Sequence, residues 1–473
     1  MSKSMLVIAV SGVIFLLTAT AISERLTNTA SVVPSTPSAS SPSPVREAPS
    51  SKYLETGYHL GLNFFVFPRN ATDDTARALT APETATQLQT LHAEVARQLT
   101  NGDTLWSAVE PKANAWNWAT TDSMFQSFSS SVEPIADLFS MQYASPNAPW
   151  NISGPFEKTM TAEAETYIRT VVRRYKDSVT YWEIGNEMDH WKLLDPGNLE
   201  AIHGKFSDVT EKLPTLLPSD GYSPAEQGAF FAATANIVRE EDPDAILVMP
   251  GMSAAQDYQL NTWLPGFVAG AGTDAFDIVN YHDYGSWSDM EGRLSALKAS
   301  MQTLGIANKP IWLSETGSSA DTTLTQRTNY PNSTVTQAAD VIRRLLIAQT
   351  NGVSTAIWHT FYSSPSTGTN TWRAYGLLNE HGEESPSYGA FATLAEVFPA
   401  TSVEDIATTP GTYIVKITSS HDNVAYAVWG SGTWTIPEGI AEEYTISSTG
   451  VAKSAAPAEG STVTLSPIPQ LFR

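Results

Sequence analysis

The sequence predicts an α/β fold, a (β/α)8 TIM barrel followed by a small C-terminal antiparallel β domain. Between residues 53 and about 400, short runs rich in β-branched and aromatic residues alternate with longer amphipathic stretches, the pattern of repeated βα units. Eight such runs can be counted, the number at which this barrel closes. After residue 402 the helical period gives way to strict alternation broken by Gly, Pro, Asn and Asp, as in short antiparallel strands and their turns.

In chain order, the expected strands are HLGLNFFVF (59–67), EVARQL (94–99), VEPIADLF (132–139), VTYWEIGN (179–186), AILVMPG (245–251), FDIVNYH (276–282), PIWLSE (310–315) and STAIWHTF (354–361). Between them, AEAETYIRTVVRRY (162–175), PAEQGAFFAATANIVREE (224–241) and TQAADVIRRLLIAQT (336–350) place apolar residues three and four apart, which predicts helices with one buried face. The tail supplies TYIVKITS, NVAYAVWG, GTWTI, EYTISS and STVTLS as strands of a β-sandwich-like unit over 403–473. No fixed-period repeat is visible.

Two folded domains suit 473 residues, of which 42% are hydrophobic and 16% charged, a balance that buries a large core. With 27 Lys and Arg against 49 Asp and Glu, the net charge is −22. Such a surface repels phosphate backbones and argues against nucleic acid as a partner. The absence of cysteine excludes disulfides, thiolate metal sites and a Cys nucleophile.

Near the start, Lys3 precedes an apolar run from Met5 to Ile22, and Ala19-Thr20-Ala21 has the form of a cleavage site. Residues 1–26 are thus expected to be a signal peptide or membrane anchor. Residues 27–52, rich in Ser, Pro, Thr and Ala, have a linker's composition. Both readings put the barrel, 53–402, outside the cytoplasm, secreted or tethered to the membrane. Asn70, Asn151 and Asn332 head sequons, which matter only where the host glycosylates secreted proteins.

Glu187 ends the fourth run and Glu315 the seventh, at the strand end where barrel enzymes build their sites. Cleaving a glycosidic bond takes one carboxyl to protonate the leaving oxygen and another to meet the anomeric carbon. Asn186 directly precedes Glu187, where an amide could bond a sugar hydroxyl that gains charge in the transition state. A salt-bridge partner or helix cap is the rival reading for each Glu. Arg97 on the second run is expected to pair with Glu183, which shares a strand face with Glu187 by alternation and is costly to bury alone.

YWEIGNE, FDIVNYHDYG, IWLSETG and TAIWHTF resemble strands four, six, seven and eight of the clan A glycoside hydrolases. TLWSAVEPKANAWNW resembles the segment after their second strand. The resemblance covers roughly 55–400 and is nearest to the β-xylosidase and α-L-iduronidase, arabinofuranosidase or cellulase-like families. It implies a retaining enzyme with Glu187 as acid/base, Glu315 as nucleophile and Asn186 on the substrate 2-hydroxyl. It further implies that Tyr284, with His282, supports the nucleophile and that Trp358 floors the site. Trp150, Asp189, His190, Trp191, Trp287 and Trp372 fall in loops that could form sugar subsites. No cofactor or metal is required, and the expected partner is a β-linked polysaccharide or oligosaccharide. A transglycosylase and a noncatalytic carbohydrate-binding protein are the alternatives, the second weakened because both carboxylates are present.

Overall fold

The structure, a computed structural model, describes residues 57–64, 81–98, 104–128, 132–139, 160–189, 223–321, 333–363, 374–379 and 381–473. The apolar run at the start, the Ser/Pro-rich segment and the three sequons lie outside these residues, as do Trp150, His190, Trp191 and Trp372. Among the described residues, no helix is long and apolar enough to cross a membrane.

Eight parallel strands form one sheet: β1 (His59–Phe64), β2 (Val95–Gln98), β3 (Glu133–Leu138), β4 (Tyr181–Ile184), β5 (Ile246–Val248), β6 (Val279–Asp283), β7 (Ile311–Thr316) and β8 (Val353–Trp358). Their order is β5-β4-β3-β2-β1-β8-β7-β6. Parallel bridges from Val248 to Ile278 and from Met252 to Tyr281 join the two ends, so the sheet closes into the expected barrel. The second strand falls where the sequence put it, with Arg97 in register with Asn63 on β1 and Ile135 on β3.

The helices are α1 (Ala81–Thr90), α2 (Trp106–Val109), α3 (Ala119–Ser127), α4 (Ala162–Tyr175), α5 (Pro224–Glu241), α6 (Leu264–Ala271), α7 (Met290–Thr303), α8 (Thr334–Thr350) and α9 (Pro386–Ala395). The chain starts α5 with a capping box, in which Ser223 and Glu226 satisfy each other's backbone N–H groups, and a Pro follows in the first turn, where its missing N–H costs nothing. α5 and α6 approach closely at Gly270, where an added Cβ would lie 1.9 Å from the Ala225 carbonyl oxygen.

Period-two alternation divides the strands' side chains into two cores. Leu60, Leu62, Ala96, Trp182, Leu313 and Trp358 face the helices. Val95, Ile135, Tyr181, Val248, Ile278, Trp312 and Ile357 fill the barrel, with the Tyr181 and Trp312 ring centroids 4.9 Å apart. Two residues further along the strands the inward layer turns polar: Arg97, Asp137, Glu183 and Asn280 are all fully buried. The apolar layer plugs the barrel, and the polar layer above it begins the site.

The C-terminal region has a six-stranded antiparallel sheet, ordered β14-β13-β16-β11-β10-β9, and a two-stranded ribbon of β12 and β15. Its strands are β9 (Ala400–Asp405), β10 (Thr412–Ser419), β11 (Val424–Gly430), β12 (Thr433–Thr435), β13 (Glu442–Ser447), β14 (Gly450–Ala455), β15 (Thr462–Thr464) and β16 (Gln470–Phe472). β9 straddles the expected boundary at 402/403. Ala400 also exchanges both backbone hydrogen bonds with Tyr58, at 2.9 and 3.2 Å.

Candidate active site

The polar layer is organised by Arg97. Its Nε and Nη2 donate to the two oxygens of Glu183 at 2.5 and 2.9 Å, and Nη2 also donates to Asn186 Oδ1 at 2.9 Å. Nη1 donates to Asn63 Oδ1 at 3.2 Å and to Glu315 Oε1 at 2.8 Å. A buried guanidinium would be costly alone; although burial works against its charge, Glu183 and Glu315 hold its pKa above the ordinary value. Glu183 also accepts from Asn280 Nδ2 at 3.0 Å. The expected Arg97–Glu183 pair is therefore present, and Arg97 extends it to Asn186 and Glu315.

Glu315 owes its direction to an irregularity. Trp312 and Ser314 share a face by alternation, which would turn Glu315 toward the helices. The pairing register shifts between Leu313 and Thr316 on the β8 side, and between Tyr281 and His282 on β6. Bulges of this kind re-aim side chains beside active sites. Glu315 Oε2 accepts from the Tyr284 hydroxyl at 2.7 Å. His282 Nδ1 lies 3.6 Å from the same oxygen and His359 Nδ1 3.9 Å. Burial pushes the Glu315 carboxyl up, but His282, His359 and Arg97 outweigh it and leave its pKa below the ordinary value.

Glu187 follows a turn rather than a strand. Gly185 has φ +81° and Glu187 has φ +46°, left-handed backbone that a glutamate adopts at a cost of order 1–3 kcal/mol. Its N–H bonds the Gly251 carbonyl at 3.0 Å, and its Oε1 meets His282 Nδ1 at 2.9 Å. The Glu187 side chain is 26% exposed and that of Glu315 is 5% exposed.

His282, fully buried, links the two carboxylates, with its Nε2 3.1 Å from Ser314 Oγ. Burial works against its charge, but Glu315 and Glu187 leave its pKa raised. Burial, with Glu315 beside it, lifts the Tyr284 hydroxyl well above its ordinary value, so it remains a donor at neutral pH. Glu187, His282 and Glu315 each bring one ligand atom within 4.8 Å of the others, the set a cation would find among the described residues. Arg97, Tyr284 and the three groups themselves already engage those atoms.

Two expectations are corrected. Trp358 does not floor the site: Ile357 fills the barrel, so alternation turns Trp358 to the helices, where its indole N–H donates to the Tyr375 carbonyl at 3.2 Å. His359, one residue on, takes the place beside Glu315. Trp287 packs away from the site, under the Arg343 guanidinium at 4.6 Å and edge-on to Tyr413 at 5.8 Å. Asp189 is 2% exposed and accepts from the Ser253 N–H, the Ser253 hydroxyl and Gln259 Nε2. It shapes a cavity of about 690 Å³, shared with Tyr258, Asp289 and Arg293, through bonds to the β5 loop.

Asn63, Asn280, Ser314 and His359 were missed. Alternation from the apolar plug would have found Asn63, Asn280 and Ser314, since each lies two residues beyond an inward position. In the segment after β2, Glu110 accepts from the Trp106 indole at 2.8 Å and the Asn114 N–H at 2.7 Å, so it staples a loop.

Residues 221–391 match the family described as "Glycosyl hydrolase catalytic core". No curated protein matches. Similar solved structures include a family 39 glycoside hydrolase from Bacteroides cellulosilyticus WH2, at 15% identity over 88% of this chain and 81% of that one, with a TM-score of 0.60. A family 39 β-xylosidase from Caulobacter crescentus follows at 14% identity, 89% and 97% coverage and 0.58. An α-L-arabinofuranosidase from Thermotoga maritima follows at 12%, 89% and 97%, and 0.56. At these identities the neighbours establish the shared barrel, and the family match adds the chemistry. The chain is thus similar to the clan A glycoside hydrolases in barrel and catalytic core, and it is a glycosidase.

Proposed function

We propose that the protein is a retaining glycosidase that cleaves a β-linked polysaccharide or oligosaccharide by double displacement. The observation that carries this reading is the approach of Glu187 and Glu315, whose nearest carboxylate oxygens lie within 4.8 Å. Carboxyl groups about 5–5.5 Å apart suit a nucleophile and its acid, whereas inverting enzymes leave about 6.5–9.5 Å for a water. The buried Glu315, held ionised by its neighbours, attacks the anomeric carbon and forms a glycosyl ester. Glu187, the more open of the two, gives its proton to the departing oxygen. Water then attacks the anomeric carbon, Glu187 takes the water's proton, the bond from that carbon to Glu315 breaks, and Glu315 leaves as carboxylate. Asn186 has its carbonyl oxygen on Arg97, which leaves its amide N–H groups to meet a sugar hydroxyl.

One neighbour is named a β-xylosidase and another an α-L-arabinofuranosidase, so the test panel includes aryl glycosides of both kinds beside β-glucosides and plant polysaccharides. Hydrolysis should fall at least about 10³-fold in Glu315→Gln and, for poor leaving groups, in Glu187→Gln. NMR of the first product should show the retained anomer; an inverted one would overturn the mechanism, and turnover surviving in Glu315→Gln would overturn the nucleophile. Sugar acceptors that divert the product into a new glycoside would identify a transglycosylase.

The same reading places the protein outside the cytoplasm, on the strength of the apolar run from Met5 to Ile22 and the Ser/Pro-rich segment after it. Fractionation of expressing cells should find the full activity in the extracytoplasmic or membrane fraction.

A further inference from the structure

The loop that carries Tyr284 is gripped from three directions. From α7, Arg293 donates to both oxygens of Asp283 at 2.8 Å and to the Ser286 carbonyl at 2.6 Å. It fits there because residue 285 is Gly, whose added Cβ would lie 2.8 Å from Arg293 Cζ. From α8, Arg344 donates to the carbonyls on either side of Tyr284, Asp283 at 3.4 Å and Gly285 at 2.6 Å. The third grip comes from the C-terminal sheet. Tyr413 on β10 stacks on Trp429 of β11 with ring centroids 4.8 Å apart, and its edge contact bears on Trp287. The other face of this junction is Arg343, whose guanidinium covers the Trp287 ring while Nη1 donates to the Pro467 carbonyl at 2.9 Å and Nη2 to Asp340 Oδ1 at 2.7 Å.

We propose that Trp287, Arg343 and Tyr413 are positioning residues through which the C-terminal sheet fixes the β6 loop and so holds the Tyr284 hydroxyl on Glu315. The inference rests on the reading of Glu315 as nucleophile. Trp287 is three residues from Tyr284; between them the Gly285 carbonyl takes Arg344, the Ser286 carbonyl takes Arg293 and the Gly285 N–H bonds Asp283 Oδ1, and the stretch ends on the Trp287 junction. A displacement of Trp287 is therefore passed along a short tether to a 2.7 Å hydrogen bond. Displacements of about 1 Å at such contacts lower turnover by up to about 10²-fold. The C-terminal sheet then acts on catalysis through the β6 loop.

The test uses the full chain with Tyr413→Ala, Arg343→Lys, Tyr413→Phe and Tyr284→Phe, and Ile417→Val as a control elsewhere in the same sheet. Glu315 is faced by Arg97 from β2, Glu187 after β4, His282 on β6, Tyr284 after it and His359 after β8, and only Tyr284 stands on the loop. Losing its hydrogen bond disfavours the carboxylate, so the acid limb of kcat/KM moves to higher pH. Tyr413→Ala is expected to lower kcat about tenfold with little change in KM, and to move that limb up by about half a unit or more. Tyr413→Phe keeps the ring and both values. Ile417→Val lowers Tm and leaves the limb in place. In the double variant Tyr413→Ala with Tyr284→Phe the limb should move no further than in Tyr284→Phe alone.

An unmoved limb in folded Tyr413→Ala overturns the inference; should that variant fail to fold, Arg343→Lys, which keeps the charge and loses the planar cover on Trp287, is judged by the same criterion. If Tyr284→Phe itself leaves the limb in place, the reading of Glu315 fails instead.

Discussion

Burial pushes the His359 imidazole down to about 4, with His282 and Arg97 adding to the fall and Glu315 opposing it. An unfolded chain binds that proton near pH 6.5. Between 6.5 and 4 the unfolded state therefore carries more protons, and stability falls as pH falls, by roughly 3 kcal/mol across the whole window. His282 has the opposite sign: with its pKa raised, its contribution is complete below about 6.5 and is lost as pH rises through the higher folded value. Denaturant unfolding at pH 7 and 4.5 should show His359→Gln losing less stability on acidification than the parent; equal losses would mean that the native imidazole takes up the proton. His359 was illegible in the sequence for a physical reason. A Trp at residue 358 fits the expected motif, and only the phase of the strand, fixed by Ile357 inside the barrel, decides which of two adjacent rings meets the carboxylate. Arg97 was legible because a buried Glu183 demands a cation and β2 offers one at the right level.

Much of the barrel could be read from pattern, since α4 and α8 show apolar faces and β4, β6, β7 and β8 carry β-branched and aromatic residues. The bulges could not. They depend on how neighbouring strands slip, and period-two counting from Trp312 would have sent Glu315 to the wrong face; only the rule that barrel sites sit at strand ends put it in place. The turn after β5 shows how closely this end of the barrel is fitted. A Cβ at Gly251 would lie 2.1 Å from His282 Nε2, a nitrogen already seated on Ser314. Gly251→Ala is thus expected to drive His282 off both carboxylates, lowering kcat about 10–10²-fold and stability by about 1–3 kcal/mol. Steady-state kinetics with a thermal melt would check this, and unchanged kcat would show that His282 is not needed where it lies.

At the scale of the molecule, the net charge of −22 acts on encounter more than on chemistry. A neutral oligosaccharide should be cleaved with kcat/KM nearly independent of salt. A uronate-bearing one should gain several-fold as ionic strength rises from about 0.01 to 0.15 M and the screening length falls from about 30 to 8 Å; kcat/KM measured across that range would decide, and a gain for the neutral substrate would point to something other than charge. The C-terminal sheet spans the side of the barrel. Tyr413, near one end of β10, touches Trp287 of the loop after β6, and Ser419, at the other end, pairs with Ala400, roughly 20 Å away at about 3.4 Å per residue. Ala400 is stitched to Tyr58, just before β1. The chain thus enters the barrel at the rim opposite the catalytic mouth, under the apolar plug. A link made at Gly57 would therefore meet the barrel on its blind side, leaving the catalytic mouth uncovered at the other end.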